Sequence, residues 1–358
     1  MNQETPANSA SQKWIVRIPE VFSASTQEIL SGLDASSATA LGTEYQLITI
    51  PGPEQLADSP SSRFIRWKMP VDHSWPCCPQ KMEGFIEKAA QALARKFSSL
   101  PLQSILVGQL DSAVTNRYYK TLASNLRGRT LQLFPTLPAS DSVEKQAPDK
   151  LTLFCLLGKE GLFCGVTTPR KANGFYAGGT RYISHSSGSS ISRAGAKIAE
   201  ALHYLGLHAP APAENSHWLE LGASPGGITS ELLNRGYRVT AIDRAALDPR
   251  LSQAANLDFH QIDVATYAPA PGVSFNAILS DMNGSAMESM KQVLRLSQYL
   301  KKSGLIIFTL KTSGTEDFQS MNQLCDRVEQ LAAEAGFPRL ARTHLTYNRQ
   351  EFTLFFRK

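Results

Sequence analysis

The sequence predicts an α/β protein whose second half is a doubly wound, mostly parallel sheet and whose first half is built of smaller α+β modules. Three observations carry this. From Arg193 to Phe356, short apolar runs alternate with amphipathic stretches, the order that lays helices over a parallel sheet. Within it, His217–Leu221 reads as a strand running into the glycine turn Gly222-Ala223-Ser224-Pro225-Gly226-Gly227 and then a helix. Before Val166, by contrast, the apolar runs are short and the connectors are rich in Pro and Ser.

Taken in order, residues 1–13 are polar and read as a disordered tail, without the basic-then-apolar pattern of a secretory leader. Residues 14–70 form a first module, with strands predicted at Trp14–Val16, Tyr45–Ile50 and Phe64–Trp67 and a helix at Ala24–Leu33. Residues 71–180 form a second. It has an amphipathic helix at Gln80–Ser98 (Met82, Phe85, Ile86, Ala89 and Leu93 on one face), a strand at Ser104–Leu110 and a helix at Asn116–Arg127. After the linker Pro135–Asp149, the runs Leu151–Leu156 and Gly161–Val166 read as a hairpin turning at Gly158–Gly161. Residues 181–358 hold the large sheet. Helices are predicted at Arg193–Leu205, Gly226–Asn234 and Gln319–Ala335, and strands at His217–Leu221, Arg238–Ile242 and Arg339–Leu345, with further strands ending at Ser280, Leu310 and Phe356.

The length of 358 residues suits two or three domains, and 42% hydrophobic residues supply their cores. No run approaches the roughly 18–20 apolar residues of a membrane span. Five cysteines without paired CxxC spacing argue against a disulfide framework or a structural zinc, and fit a reducing, cytoplasmic setting. Cys155, Cys164 and Cys325 read as buried thiols; the adjacent Cys77 and Cys78 have no recognisable partners for a metal. A net charge of +5 permits an RNA partner without requiring one.

The glycine turn is a nucleotide-type cradle. Asp243 ends the next strand, where a carboxylate can accept ribose hydroxyl protons, and Asp263 ends a third candidate strand, where it can meet an adenine amine. The dinucleotide fingerprint G-x-G-x-x-G is not satisfied, because Ser224 stands at its second glycine and Pro225 removes a donor. Four further residues lie at the ends of predicted elements: Lys197 at a helix head, Asp281 and Lys311 just after strands, and Glu351 before one. In open α/β sheets ligands bind beyond the carboxyl ends of the parallel strands, which positions Asp281 and Lys311 for one site.

Leu-Gly-Ala-Ser-Pro-Gly-Gly at 221–227 resembles motif I of FtsJ-type ribose 2′-O-methyltransferases, and the ordered Lys197, Asp281, Lys311 and Glu351 resemble their catalytic tetrad. Ser192–Lys197, Ser280–Met282, Phe308–Lys311 and Tyr347–Glu351 further resemble the bacterial large-subunit ribosomal RNA methyltransferase M family. The resemblance implies a Rossmann-like methyltransferase domain preceded by ferredoxin-like (14–70) and THUMP-like (71–180) domains, the latter also suggested by Phe175–Arg181. It implies S-adenosyl-L-methionine as cofactor, held by Glu220, Gly222, Ala223, Ser224, Pro225, Gly226, Gly227, Asp243, Asp263 and Asp281. It implies a cytidine 2′-hydroxyl of 23S rRNA, free or in a precursor particle, as substrate. No metal or membrane is expected, and the oligomeric state stays open between monomer and homodimer.

The chemistry explains the residue types. A sulfonium-activated methyl group needs no metal; the obstacle is the alcohol, which must lose its proton. Free lysine, with a pKa of about 10.4, is neutral to about one part in 10³ near pH 7. Desolvation and a second cation both favour the neutral amine. The resemblance makes Lys311 the general base, with Lys197 orienting the ribose and Asp281 and Glu351 positioning the amines. Asp281-Met282-Asn283-Gly284 lacks the aromatic of amine methyltransferases and the cysteine of pyrimidine-carbon methyltransferases. Arg193, Asn283, Arg349, Arg181, Arg170 and Lys171 are the candidate RNA-binding residues, and Arg117, Lys120, Arg127 and Arg129 form a further basic group. The same chemistry on tRNA, a non-catalytic assembly factor and a dehydrogenase are the alternatives; an intact tetrad speaks against the second, and nicotinamide binding would reveal the third.

Overall fold

In the computed structural model of the protein, the described residues are 11–57, 59–75, 82–110, 117–134, 137, 146–179, 191–312, 314–315 and 317–358. Arg181, Cys77 and Cys78 lie outside them. The chain divides into two compact units, Met1–Thr180 and Arg181–Lys358.

The first unit opens with β1 (Gln12–Arg17), α1 (Thr26–Ser31), β2 (Ser37–Leu41), β3 (Tyr45–Ile50) and β4 (Trp67–Pro70). These strands form an antiparallel sheet in the order β2-β3-β1-β4, the order of the split βαβ arrangement. Phe64 does not begin a strand. Pro60 starts a short 3₁₀ turn, capped by Ser59 and ending at Phe64, and the strand follows it. β2 escapes the sequence reading because it is an edge strand, exposed along Ser37–Ala40, with no apolar run.

The unit continues with β5 (His73–Trp75), α2 (Met82–Phe97), β6 (Ser104–Gln109), α3 (Arg117–Gln132), β7 (Thr152–Gly158), β8 (Gly161–Thr167) and α4 (Pro169–Ala172). The second sheet has the order β5-β8-β7-β6. β7 is buried at every position, which is why its sequence is an unbroken apolar run. Leu153, Cys155 and Leu157 pack with Leu93, Leu122 and Leu126 of α2 and α3. Phe154 and Leu156, on the other face, pack with Ile15, Tyr45, Trp67 and Met69, and Trp67 meets Phe154 edge-on at 5.6 Å. The two sheets thus share one core. Arg17 adds a polar tie across it, donating to Gly178 O at 2.7 Å.

The second unit contains α5 (Ala194–Leu205), β9 (His217–Leu221), α6 (Gly227–Asn234), β10 (Arg238–Asp243), β11 (Leu257–Gln261), β12 (Phe275–Ser280), α7 (Ala286–Leu296), β13 (Leu300–Lys311), α8 (Phe318–Glu334), β14 (Arg339–Thr343) and β15 (Glu351–Arg357). Its seven-stranded sheet has the order β11-β10-β9-β12-β13-β15-β14. β11, β10, β9, β12 and β13 run parallel, and β15 is inserted antiparallel between β13 and β14. Leu305–Leu310 of β13 are all buried, as in a strand covered on both faces. The chain runs outward from β9 to β11 and returns beside β9 as β12, so β9 and β12 flank the topological switch point. α5 and α6 pack together, as do α7 and α8. The strand expected to end at Asp263 stops at Gln261; Asp263 caps a 3₁₀ turn over Val264–Thr266.

Candidate active site

The site forms where β9 and β12 part. The backbone N–H of Asp281 donates to Leu221 O at 3.0 Å, which holds the two strand ends together. Gly222 then turns with φ +83°, and a Cβ there would lie 2.9 Å from Met282 N and Cα. Only glycine lets the two loops approach this closely. A similar contact seats α5: a Cβ on Gly195 would lie 2.9 Å from Gly227 O. The helix bearing Lys197 is thereby brought against the start of α6.

Lys197, Asp281, Lys311 and Glu351 converge. Lys197 Nζ lies 3.0 Å from Asp281 Oδ1 and 2.7 Å from Glu351 Oε1. Lys311 and Glu351 are register partners on β13 and β15. Lys311 Nζ donates to Asp281 O at 2.9 Å and to Asn283 Oδ1 at 2.7 Å, and lies 3.5 Å from Asp281 Oδ1. All four side chains are largely buried. Desolvation opposes the charge on Lys197, but Asp281 and Glu351 outweigh it and hold its pKa above the ordinary lysine value. Lys197 is therefore a fixed cation.

A cavity of about 520 Å³ opens beside this cluster. Gly222, Ser224, Asp243, Asp263, Asp281 and Lys311 line it, together with the polar side of α7 at Ser285, Glu288, Ser289 and Gln292. Asp243 accepts from Ser224 N at 2.9 Å and Ala245 N at 2.8 Å, one on each oxygen. Asp263 accepts from Ala265 N at 2.8 Å. Ala223, Pro225, Gly226 and Gly227 shape the turn without lining the cavity. Glu220 is a correction: it is fully buried, does not line the cavity, and accepts from Thr229 Oγ1 of α6 at 2.8 Å. Burial pushes its carboxyl up to about 8.

Several of the basic residues have partners within the first unit. Arg127 donates to Ile105 O at 2.9 Å and Arg129 is paired with Glu87 at 2.7 Å, so both are engaged in the first unit's own architecture. Arg170 is paired with Asp149 at 2.7 Å, while Lys171, Arg193 and Arg349 are exposed. Asn283, expected to meet RNA, is exposed but bonded to Lys311.

The sequence reading missed Glu200. One helical turn beyond Lys197, it is buried and accepts from Thr346 N at 2.8 Å and Thr346 Oγ1 at 2.7 Å. The i, i+3 spacing from Lys197 placed it on the same helix face. Its partner, in the loop before Glu351, had no such signal.

Residues 190–340, spanning the five parallel strands of this sheet and three of the four clustered side chains, match the family described as FtsJ-like methyltransferase. Residues 190–340 thus match an FtsJ-like methyltransferase domain. Ribosomal RNA large subunit methyltransferase M of Halorhodospira halophila is 29% identical to the chain over 170 residues, 47% of each protein. The protein of the same name from Shewanella halifaxensis is 24% identical over 244 residues, 66% of each. The matches thus span between about half and two thirds of these relatives' length. Among solved structures, a Methanococcus jannaschii fibrillarin pre-rRNA processing protein aligns with a TM-score of 0.37 and 14% identity, over 62% of this chain and 85% of that one. Among the described residues, no helix is long and apolar enough to cross a membrane.

Proposed function

We propose that the protein transfers the methyl group of S-adenosyl-L-methionine to a ribose 2′-hydroxyl of large-subunit ribosomal RNA, a cytidine of 23S rRNA, in the cytoplasm. The observation that carries the reading is the Lys197–Asp281–Glu351 cluster with Lys311 on the wall of a cavity at the switch point. The names of the relatives agree with it.

The cavity suits the cofactor. Its volume is in the range of small-molecule sites. Gly222, Asp243 and Asp263 line it; in this reading Gly222 leaves bare backbone against the ligand, Asp243 accepts the ribose hydroxyls and Asp263 the base amine. When bound, the cofactor supplies a methyl group already activated by its sulfonium. The protein's residues deal with the alcohol. Lys311 Nζ takes the 2′-hydroxyl proton as the oxygen–methyl bond forms, while Lys197 stays charged and orients the ribose. Asp281 and Glu351 hold the two amines. Arg193 and Arg349 offer exposed cations to flanking phosphates. The ferredoxin-like residues 14–70 and THUMP-like residues 71–180 hold the RNA in register through phosphates and shape, with Lys171, Arg170 and Arg181 contributing.

The test is incubation with methyl-labelled S-adenosylmethionine and unmodified 23S rRNA. Label on a ribose 2′-oxygen is the expected result. Label on tRNA alone would move the substrate, and absence of both transfer and cofactor binding would overturn the reading.

A further inference from the structure

Resting on that reading, we infer that Asn283 is a catch on the catalytic amine, and that the attacking ribose oxygen takes the place of its amide oxygen. Three acceptors surround Lys311 Nζ: Asp281 O at 2.9 Å, Asn283 Oδ1 at 2.7 Å and Asp281 Oδ1 at 3.5 Å. Two of these are hydrogen bonds and the third, to Asp281 Oδ1, is an ion-pair contact; an ammonium, with three N–H groups and no lone pair, can meet all three. A neutral amine has two N–H groups and one lone pair. To act as a base, Lys311 must keep two of these acceptors and exchange the third for the hydroxyl it deprotonates.

The three are not equally free to leave. Asp281 O belongs to the backbone at the end of β12, and the N–H of the same residue is tied to Leu221 O at 3.0 Å. Asp281 Oδ1 also holds Lys197 at 3.0 Å. Asn283 is an exposed side chain on the loop between β12 and α7, and it lines the cavity with Lys311. The next residue, Gly284, has φ +103° and open space where a Cβ would stand. Of the three oxygens, only the Asn283 amide is carried by an exposed side chain. The exchange balances: as Asn283 Oδ1 is released to water the ammonium gives one proton to solvent, the neutral amine then takes the 2′-hydroxyl proton, and the oxygen–methyl bond forms as the sulfur–methyl bond of the methyl donor breaks, its electron pair staying on sulfur. Substrate entry and release of the base become one event. Without RNA the amine stays capped.

The experiment compares wild type with Asn283→Ala and Asn283→Asp, all exposed changes. The first readout is the rate at which an amine-acylating reagent labels Lys311, mapped by peptide mass spectrometry without RNA. Asn283→Ala is expected to label about fivefold faster, the scale of one exposed charge-assisted contact. Asn283→Asp, which replaces the amide with a carboxylate, is expected to label more slowly than wild type. The second readout is methyl transfer. Asn283→Ala is expected to raise kcat/KM for RNA by about the factor seen in labelling, and Asn283→Asp to lose about tenfold or more. Equal labelling of wild type and Asn283→Ala, or a tenfold loss of transfer in Asn283→Ala, would overturn the catch. Labelling is read without RNA, so a wild type that transfers no methyl group overturns the proposed activity while labelling still judges the catch.

Discussion

Lys311 and Glu351 are register partners on adjacent antiparallel strands, yet their head groups serve different neighbours. Glu351 reaches across to Lys197 at 2.7 Å, and Lys311 turns to the Asp281 carbonyl and Asn283. One lysine is fixed between two carboxylates; the other faces the cavity through an exposed amide.

That asymmetry separates binding from chemistry. Lys311→Ala is expected to lower kcat by about 10² to 10⁴, the span for loss of a positioned general base. Cofactor Kd, measured by calorimetry, should stay within about twofold, because the Gly222–Gly227 turn and Asp243 are untouched.

Glu200 closes a ring that runs from Lys197 along α5, through Thr346 to Glu351 and back to Lys197. Removing its carboxylate in Glu200→Ala should lower kcat about tenfold by loosening Glu351 rather than by touching substrate. The check is a double-mutant cycle with Glu351→Ala. A shared role predicts a combined loss well short of the product of the single losses, whereas independent effects would multiply.

The carboxyl of Glu220, raised from 4.5 to about 8 by burial, ties stability to pH. Between those values the folded state binds a proton that the unfolded state releases, so stability falls as pH rises through this window. A single group of this kind gives a slope of up to about 1.4 kcal/mol per pH unit. Glu220→Gln should remove this slope. Chemical denaturation of both proteins from pH 5 to pH 8 measures it, and parallel curves would refute the assignment.

Gly222→Ala should cost about 1–3 kcal/mol, since it forces a side chain into a left-handed turn. Its Cβ would press on Met282 N and Cα at 2.9 Å. A lowered Tm together with weakened cofactor binding is expected; an unchanged Tm would show that the loops can part.

The four clustered residues were legible in the sequence because each sits at an element end that the periodicity marks. The cradle was legible because its glycines interrupt an apolar strand. Glu220 misled because it belongs to the same motif, but alternation along β9 turns its side chain onto α6. β2 and β11 were hard to read because edge strands need no apolar run: Ser37-Ala38-Thr39-Ala40 is exposed, and β11 carries Asp258, His260 and Gln261. Arg127 and Arg129 read as part of a basic group with Arg117 and Lys120; their partners Ile105 and Glu87 are remote in sequence and so left no local signal.

The insertion of β15 between β13 and β14 has a consequence for biosynthesis. Emerging from the ribosome, the chain presents β13 and β14 before the strand that pairs with both. Until Glu351–Arg357 arrives, two strand edges stand open and Lys197 lacks one of its two carboxylates. Active-site assembly therefore waits for β15, and the nascent domain must be kept from pairing those edges elsewhere.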